Sequence, residues 1–331
     1  MSKNIILSVF ITSRWDNQYL DKLLNDISNQ VYDKKKVEIL LLVAGNYSKN
    51  RALKKIGKFS SSLKFWYFPK LNQTKSLNFL VDKALGQFLV RLDARSHISK
   101  TYFRDIHTLH LKYKSVNIGG YKVPIGLNIK QKKIANLMSH PFTFGGGKFR
   151  SNSYFGPVKT VYLGSYKAAL LPSKPYDETL HRMSEDSDLN YQLIKKGHEV
   201  LLVNTIKVEY YCRENLRDFF KLCFNYGIGR GLFVIKNKVF NEFRQFICIF
   251  LAFSCFFLFV LSFYSILYFH ILAIILLIYL LTCFLLSHNI KRNKYADIYT
   301  YFIGFIGCHF FWVIGFIYSF NLYFKLKKNH C

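Results

Sequence analysis

The sequence predicts an α/β domain with a mainly parallel sheet in front and transmembrane helices at the C-terminal end. Three observations predict it. Through the N-terminal part, continuous apolar runs rich in β-branched residues alternate with amphipathic stretches, the pattern of strands covered on both faces by crossover helices. Polar residues close those runs, as Asp93 closes the one that begins at Gln87. Finally, Phe246 to Leu286 carries no charged residue over about twice the ~20 residues that one bilayer crossing needs.

Ile5 to Ile11 and Val37 to Val43 read as strands joined by the amphipathic stretch Asn17 to Asn29, a βαβ opening. Leu63 to Phe68 is a third strand, Lys75 to Leu85 a helix ended by Gly86, and Gln87 to Leu92 a fourth strand running into Asp93. Polar side chains at the C-terminal ends of such strands are where open α/β sheets bind ligands. From Val116 to Gly164 the expected texture is short strands and glycine-rich loops, with Gly119 and Gly120 and then Gly145, Gly146 and Gly147. Ser184 to Lys196 is a polar helix with Leu189 and Leu193 on one face and Gly197 as its stop. Val200 to Val203 and Lys207 to Tyr211 are short strands leading into a basic connector. The expected division is a domain of residues 1–240, connector included, and a membrane region of residues 241–331 with helices near 246–266, 270–287 and 298–320.

Within the long apolar run, Ser, Tyr and His between Ser265 and His270 mark the turn of a helical hairpin, and Tyr264 and Tyr268 suit the membrane interface. The third stretch, Ile298 to Phe320, is diluted by His309 and several glycines but is long enough to span with some tilt; an interfacial or re-entrant helix is the other reading. Lys291, Arg292 and Lys294 before it and Lys325, Lys327 and Lys328 after it all ask to be cytoplasmic under the positive-inside rule, which one full span cannot satisfy.

The formal net charge of +28 asks for an acidic partner: nucleic acid, anionic headgroups or a phosphorylated substrate. Arg213, Arg217, Lys221, Arg230, Lys236, Lys238 and Arg244 crowd the stretch before the first apolar helix, which favours the last two. No zinc-finger spacing, aromatic RNA-binding signature or isolated basic helix is present, so nucleic acid is not an expected partner. Of the seven cysteines only Cys212 and Cys223 precede the apolar region, without metal-type spacing, and no disulfide framework is implied. The N-terminal apolar run is interrupted by Arg14 and Asp16 too soon for a signal peptide, so the front domain is expected in the cytoplasm, anchored at the cytoplasmic membrane by a multi-pass tail.

Two carboxylate positions stand out. Asp93 lies at the rim of the sheet, where a divalent cation and a diphosphate can meet; magnesium or manganese needs only one or two protein carboxylates when phosphate and water complete the octahedron. A lone Asp at a strand end also serves as a cap or turn residue, and spacing does not choose between them. Glu185, Asp186 and Asp188 crowd the first turn of the polar helix, either as partners of the helix dipole or, for an Asp held near a sugar hydroxyl, as a general base. The helix N-terminus lowers a carboxylate pKa, so such a base is expected to be ionised at neutral pH. The triple glycine suits a flap against a ligand or a plain mobile loop, and Arg213, Lys221 and Arg230 suit a diphosphate or a layer of headgroups.

The ordered series Lys75-Ser76-Leu77-Asn78, Arg91-Leu92-Asp93-Ala94, Phe144 to Arg150, Val161 to Tyr166, Tyr176-Asp177-Glu178, Glu185-Asp186 and Tyr210 to Arg213 followed by Tyr226-Gly227, with a membrane hairpin behind it, resembles the family-2 glycosyltransferases of GT-A fold. Within that family it is most similar to the succinoglycan-type exopolysaccharide glucosyltransferases. The resemblance covers roughly the first two-thirds of the chain and rests on the order of the motifs. It implies a GT-A nucleotide-sugar-binding domain in which Asp93 coordinates a divalent cation (Mn or Mg) on the nucleotide diphosphate and Asp186 is the acceptor base, with Glu185 beside it. Thr12, Arg14, Lys75, Asn78, Arg91 and Arg213 are the implied nucleotide-sugar contacts.

Two departures bear on this. Ala44 stands where relatives carry an acidic residue for the nucleotide base, with Asn46 or Ser48 as substitutes, and Arg95 stands two places after the metal-binding Asp, where it pairs with phosphate or weakens the metal site. The Gln-x-x-Arg-Trp signature of processive synthases is missing between Leu222 and Arg230, so single additions are expected. The resulting expectation is inverting transfer of one sugar from a nucleoside-diphosphate sugar, UDP-sugar favoured, to a lipid-linked saccharide acceptor. The alternatives are transfer onto polyprenyl phosphate, or a catalytically silent membrane-bound assembly subunit.

Overall fold

The computed structural model describes residues 4–14, 17–70, 72–180, 184–240, 242–290 and 297–328. The chain runs β1 (Leu7–Ser13), α1 (Asn17–Ser28), β2 (Val37–Val43), α2 (Lys49–Ile56), β3 (Leu63–Tyr67), α3 (Gln73–Asp82), β4 (Phe88–Asp93), β5 (Ser96–His97), α4 (Tyr102–Lys112) and β6 (Asn117–Ile125). It continues through α5 (Ile129–Ser139), β7 (Gly156–Pro157), β8 (Tyr162–Lys167), α6 (Glu185–Lys195), β9 (Val200–Tyr211), α7 (Leu216–Asn237), α8 (Phe243–Leu261), α9 (Ile266–Asn289) and α10 (Ile298–Lys328). Two compact units result. The first comprises residues 1–125, 147–181 and 185–211, the second residues 126–146, 182–184 and 212–331.

The first unit is built on one sheet in the order β3-β2-β1-β4-β8-β6-β9-β5, with β7 added against β9. Parallel pairing carries the long registers, β1 with β2 and β4, β2 with β3, and β6 with β9. Antiparallel pairing is confined to short registers of β4, β6, β5 and β7 with their neighbours. Every residue of β1 and β2 is buried, as strands covered on both faces must be. Alternate side chains go to opposite faces: Leu7, Val9 and Ile11 meet Leu20, Leu24 and Phe103 on one side, while Phe10 joins Leu77, Leu80 and Tyr166 on the other. Each such aliphatic side chain contributes roughly 1.5–3 kcal/mol of burial, so the centre of the sheet is rigid and its rim is a fixed platform.

Local chemistry moves several boundaries. Asn72 caps α3 by accepting from the Lys75 amide at 3.3 Å, so the helix begins at Gln73 rather than Lys75. The two strands expected over 200–211 are one, interrupted where Gly120 pairs with Val203 and Tyr121 with Lys207. Residues 204–206 bulge out there, and Gly120 is required because a Cβ at that position would run into the Ile206 carbonyl. Between residues 116 and 164, where short strands and loops were expected, stands the additional helix α5. Asn128 caps it by accepting from Gln131 N at 2.9 Å, and Ile134, Ala135, Leu137 and Met138 form its buried face. Its lysines and glutamine blur that stripe in the sequence.

In the second unit the basic connector is itself helical. Asn215 caps α7, which buries Phe219, Leu222, Cys223, Ile228, Leu232 and Phe233 at helical spacing. Residues 126–146 and α7 thus pack with the C-terminal helices, so the compact units do not part at residue 240. α8, α9 and α10 are three helices long and apolar enough to cross a membrane. The link between α8 and α9 is tighter and earlier than the expected turn at 265–270. Helix α8 closes at Ser262, and Ser265 Oγ accepts from Leu267 N at 3.3 Å to begin α9, which places Tyr268 and His270 inside the helix. The third stretch is longer than expected, ending at Lys328.

Candidate active site

At the C-terminal rim of the sheet, Thr12 on β1 and Asp93 on β4 are register partners, so the two are side by side. The neighbour of Asp93 two residues back is Arg91, an arginine flanked in β4 by the apolar Phe88, Leu89, Val90 and Leu92. Arg91 is 5% exposed, and a buried guanidinium requires carboxylates around it. Three supply them. Nη2 donates to Glu185 Oε1 at 2.9 Å and lies 3.4 Å from Asp93 Oδ1, while Nη1 donates to Asp186 Oδ1. Two of the three acidic residues of the α6 first turn, Glu185 and Asp186, are therefore tied to the sheet through one guanidinium, a planar fork suited to holding several oxygens.

The charges of this cluster are tightly interdependent. Burial works against the charge on Arg91, but Asp186, Asp93 and Glu185 together more than offset it and hold its pKa well above the ordinary value. Asp186 moves the opposite way from the expectation based on the helix N-terminus. Burial raises its pKa above the usual carboxylate range, Glu185 and Asp93 add to the rise, and Arg91 opposes it without cancelling it. Arg91 and Glu185 are closed off, whereas Asp93 and Asp186 keep 33% and 32% of their side chains exposed. Asp93 and Asp186 are thus the two carboxylates of the cluster that solvent reaches.

A single reachable carboxylate fits a hard divalent cation that takes its other oxygens from phosphate and water. Asp93 meets that description, with Oδ1 near Arg91 and its side chain open to solvent by a third. Among the described residues no group of three or more His, Cys, Asp or Glu is placed to hold a metal ion by itself, because the Arg91 guanidinium fills the centre of the carboxylate cluster.

The remaining expected residues have distinct surroundings. Thr12 is buried and accepts from Gln73 Nε2 at 3.0 Å. Arg14 is exposed just beyond β1, and Lys75 is exposed in the first turn of α3. Asn78 is occupied: its Nδ2 donates to Tyr176 O at 2.8 Å and to Glu178 Oε1 at 3.1 Å, and its Oδ1 accepts from Tyr176 N at 2.9 Å. That clamp holds the Tyr176 ring 5.9 Å from the Arg91 guanidinium carbon. Tyr176, which the sequence showed only as part of a motif, is thereby a wall of the cluster, and burial keeps its phenol neutral by raising its pKa. Arg213 belongs to the second unit.

The two departures also acquire physical settings. Arg95 stacks over the Tyr19 ring at 4.2 Å and donates to Tyr211 O at 3.3 Å, so its cation is engaged away from Asp93. Ala44 packs with Leu40, Leu42 and Leu77, and Ser48 caps α2 by accepting from Arg51 N at 3.2 Å. The signal in the sequence is the arginine itself, because a cation in a buried strand forces its carboxylate partners to lie close in space.

No protein-family model matches the sequence. The chain is 24% identical over 241 residues, 70% of its own length and 74% of the relative's, to a dolichyl N-acetyl-α-D-glucosaminyl phosphate 3-β-D-2,3-diacetamido-2,3-dideoxy-β-D-glucuronosyltransferase of Methanococcus voltae. It is 25% identical over 184 residues to the succinoglycan biosynthesis protein ExoA of Rhizobium meliloti, spanning about half of each chain, 54% in both cases. Among solved structures, S. aureus TarS 1–349 has a TM-score of 0.45 at 16% identity, covering 68% of this chain and 65% of that one. The mannosyltransferase PcManGT of Pyrobaculum calidifontis, in complex with GDP-Man and Mn2+, has a TM-score of 0.49 at 10% identity, covering 69% and 62%. On its two relatives and its α/β architecture the chain is a glycosyltransferase, similar to the GT-A enzymes, with a C-terminal region of candidate membrane helices.

Proposed function

We propose that this enzyme transfers one sugar from a nucleoside-diphosphate sugar, UDP-sugar favoured, to a lipid-linked saccharide acceptor at the cytoplasmic face of the membrane, with inversion at the anomeric carbon. The observation that carries the reading is the joining of Asp186 and Asp93 through one buried guanidinium at the C-terminal rim of the sheet. An acceptor base and a carboxylate serving the departing diphosphate must flank one anomeric carbon from opposite faces, and here the two are held at one site by a shared partner. The name of the first relative, a transferase acting on a dolichyl-linked sugar phosphate, supports a lipid-linked acceptor.

Asp186 accepts the proton of the attacking hydroxyl, and its raised pKa makes it a stronger base than an ordinary carboxylate while leaving it ionised above that pKa. Glu185 is not reachable, so its part is to fix Arg91, and Arg91 in turn fixes Asp186 and Asp93. Asp93 would hold a divalent cation, Mn or Mg, which when bound neutralises the charge that develops on the departing diphosphate. Thr12, Arg14 and Lys75 stand at or near the strand ends where the nucleotide would lie. Asn78 contributes by holding Tyr176.

Transfer of label from UDP- and GDP-sugars into lipid extract, by membranes containing the intact protein or Asp186→Asn, with and without manganese, tests this. The expected result is lipid-soluble label that needs the metal and falls by about 10²–10⁴-fold in the variant. Transfer that is unaffected by Asp186→Asn, or label that appears only in water-soluble product, would overturn the assignment.

A further inference from the structure

Helix α10 has two unlike faces. Tyr301, Phe305, Cys308, Phe316 and Ser319 are buried, while Tyr299, Phe310, Ile314, Ile317 and Phe324 are exposed. Of its apolar window 39% is buried within the protein, against 6% for α8 and 11% for α9. The covering partner is α7. Phe220 stacks on Phe311 at 5.1 Å and Phe224 lies 5.8 Å from Tyr318. Gly227 abuts the main chain of Trp312 and Phe316, and Gly231 abuts Ser319. The numbers rise together, so the two helices run side by side in the same direction. Lys221 and Arg230 of α7 flank these contacts, and a bilayer-crossing α10 would carry both cations into hydrocarbon.

The level of α10 against the α8–α9 pair agrees. Cys308 lies close to Cys248 near the start of α8, and His309 Nδ1 pairs with the Tyr279 hydroxyl of α9 at 3.0 Å. Eight residues further on, Phe316 stacks at 6.1 Å on Phe240, which precedes α8 altogether. A third span beside α8 would go deeper over that distance. Instead, eight residues on, α10 is still level with the first turn of α8, because the Phe240 ring lies 5.6 Å from Phe246. At its other end α10 is held to α5, where Lys133 pairs with Asp297 at 2.8 Å and Asn136 donates to the Tyr301 hydroxyl at 3.0 Å. Leu127 and Ile129, 49% and 59% exposed, lie just before and at the start of α5.

We infer that α10 does not cross the membrane. It lies with α7 in the headgroup layer of the bilayer, its Phe310, Ile314 and Ile317 stripe against the acyl boundary, and α8 and α9 form the one crossing pair. This is the arrangement of a helix with one protein-covered face and one apolar face in the plane of the interface. It also removes the charge conflict read from the sequence, because no span then separates the two basic stretches that flank α10, each of which the positive-inside rule assigns to the same side. The inference does not depend on the reaction proposed above.

Epitope tags at the N-terminus, in the link at residues 262–265, and at the C-terminus of the full chain, digested in sealed membrane vesicles of known orientation, read the arrangement directly. The N- and C-terminal tags are expected to be cleaved together from one side and the link tag from the other. A C-terminal tag that shares the accessibility of the link tag overturns the inference. An independent reading uses Trp312 as the sole tryptophan in the Trp15→Phe, Trp66→Phe variant, reconstituted with brominated lipids. Bromines near the headgroup end of the acyl chain are expected to quench Trp312 more than bromines near the methyl end, and the reverse order places the middle of α10 at the bilayer centre and refutes an in-plane helix.

Discussion

With a guanidinium fork set among three carboxylates, the rim of the sheet carries a net negative cluster whose members cannot be changed one at a time without consequence. Replacing Arg91 by Ala leaves Glu185 buried beside two other carboxylates with no counter-charge. A loss of about 3–5 kcal/mol is expected for breaking such a pair, read as a lower midpoint of thermal unfolding in detergent. Arg91→Lys keeps the charge but not the fork, so it is expected to recover most of the stability and little of the transfer rate; equal recovery of both would show that charge alone matters. The titration of Asp186 has a definite sign. Its folded-state pKa is raised, and the base must be ionised to work, so transfer should fall as pH drops through a value above the ordinary carboxylate pKa of about 4. Asp93→Asn removes a charge that contributes to the rise, so the acid limb of whatever residual activity remains should move to lower pH. A limb at the ordinary carboxylate value, unmoved in Asp93→Asn, would remove Asp186 from the role of base. The same shift affects folding. The folded state holds a proton on Asp186 that the unfolded state has released between the two pKa values, so this residue's contribution to stability declines as pH rises through that window.

Among the elements, α7 shows most clearly how packing overrides composition. Its charged residues mark it in sequence as a connector, yet its buried stripe and the glycines at 227 and 231 let it lie directly on α10. Small residues at such spacing allow two helix backbones to approach closely. Gly231→Val places a branched side chain where Ser319 already sits, and about 1–3 kcal/mol of destabilisation is expected from overpacking. Limited proteolysis between residues 238 and 242, faster in the variant than in the parent chain, would report the loosened pair; an unchanged digestion rate would mean the helices are held by other contacts. The bulge in β9 works on the same principle in the sheet, where Gly120 makes room for the Ile206 carbonyl and the strand continues as one.

For the whole molecule, the decisive features are the charge-free length of α8 and α9 and the excess of basic residues elsewhere. Exposed phenylalanines, leucines and isoleucines cover both helices, an arrangement water does not tolerate and acyl chains do. The protein should therefore stay in the membrane pellet through alkaline carbonate and high salt and leave it only with detergent. Release by salt alone would mean that the +28 charge, and not the hairpin, does the anchoring. By itself the sequence determined the features that depend on neighbours along the chain: the alternation of buried strands and helices, the approximate ends of β1, β2 and β4, the polar α6 with its acidic first turn, the membrane-length helices, and Asp93 and Asp186 as the residues to watch. Periodicity and unbroken apolar runs are local properties, so local reading suffices for them. Tertiary structure alone decided that Arg91 gathers Asp93, Glu185 and Asp186, that Asn78 serves Tyr176, that Arg95 turns to Tyr19, and that burial reverses the pKa shift expected of Asp186. It also decided that α10 is covered along one face by α7. Each of these depends on groups some tens to a hundred residues apart being brought within a few ångströms, and no spacing along one chain encodes which of its many charges will be dehydrated together.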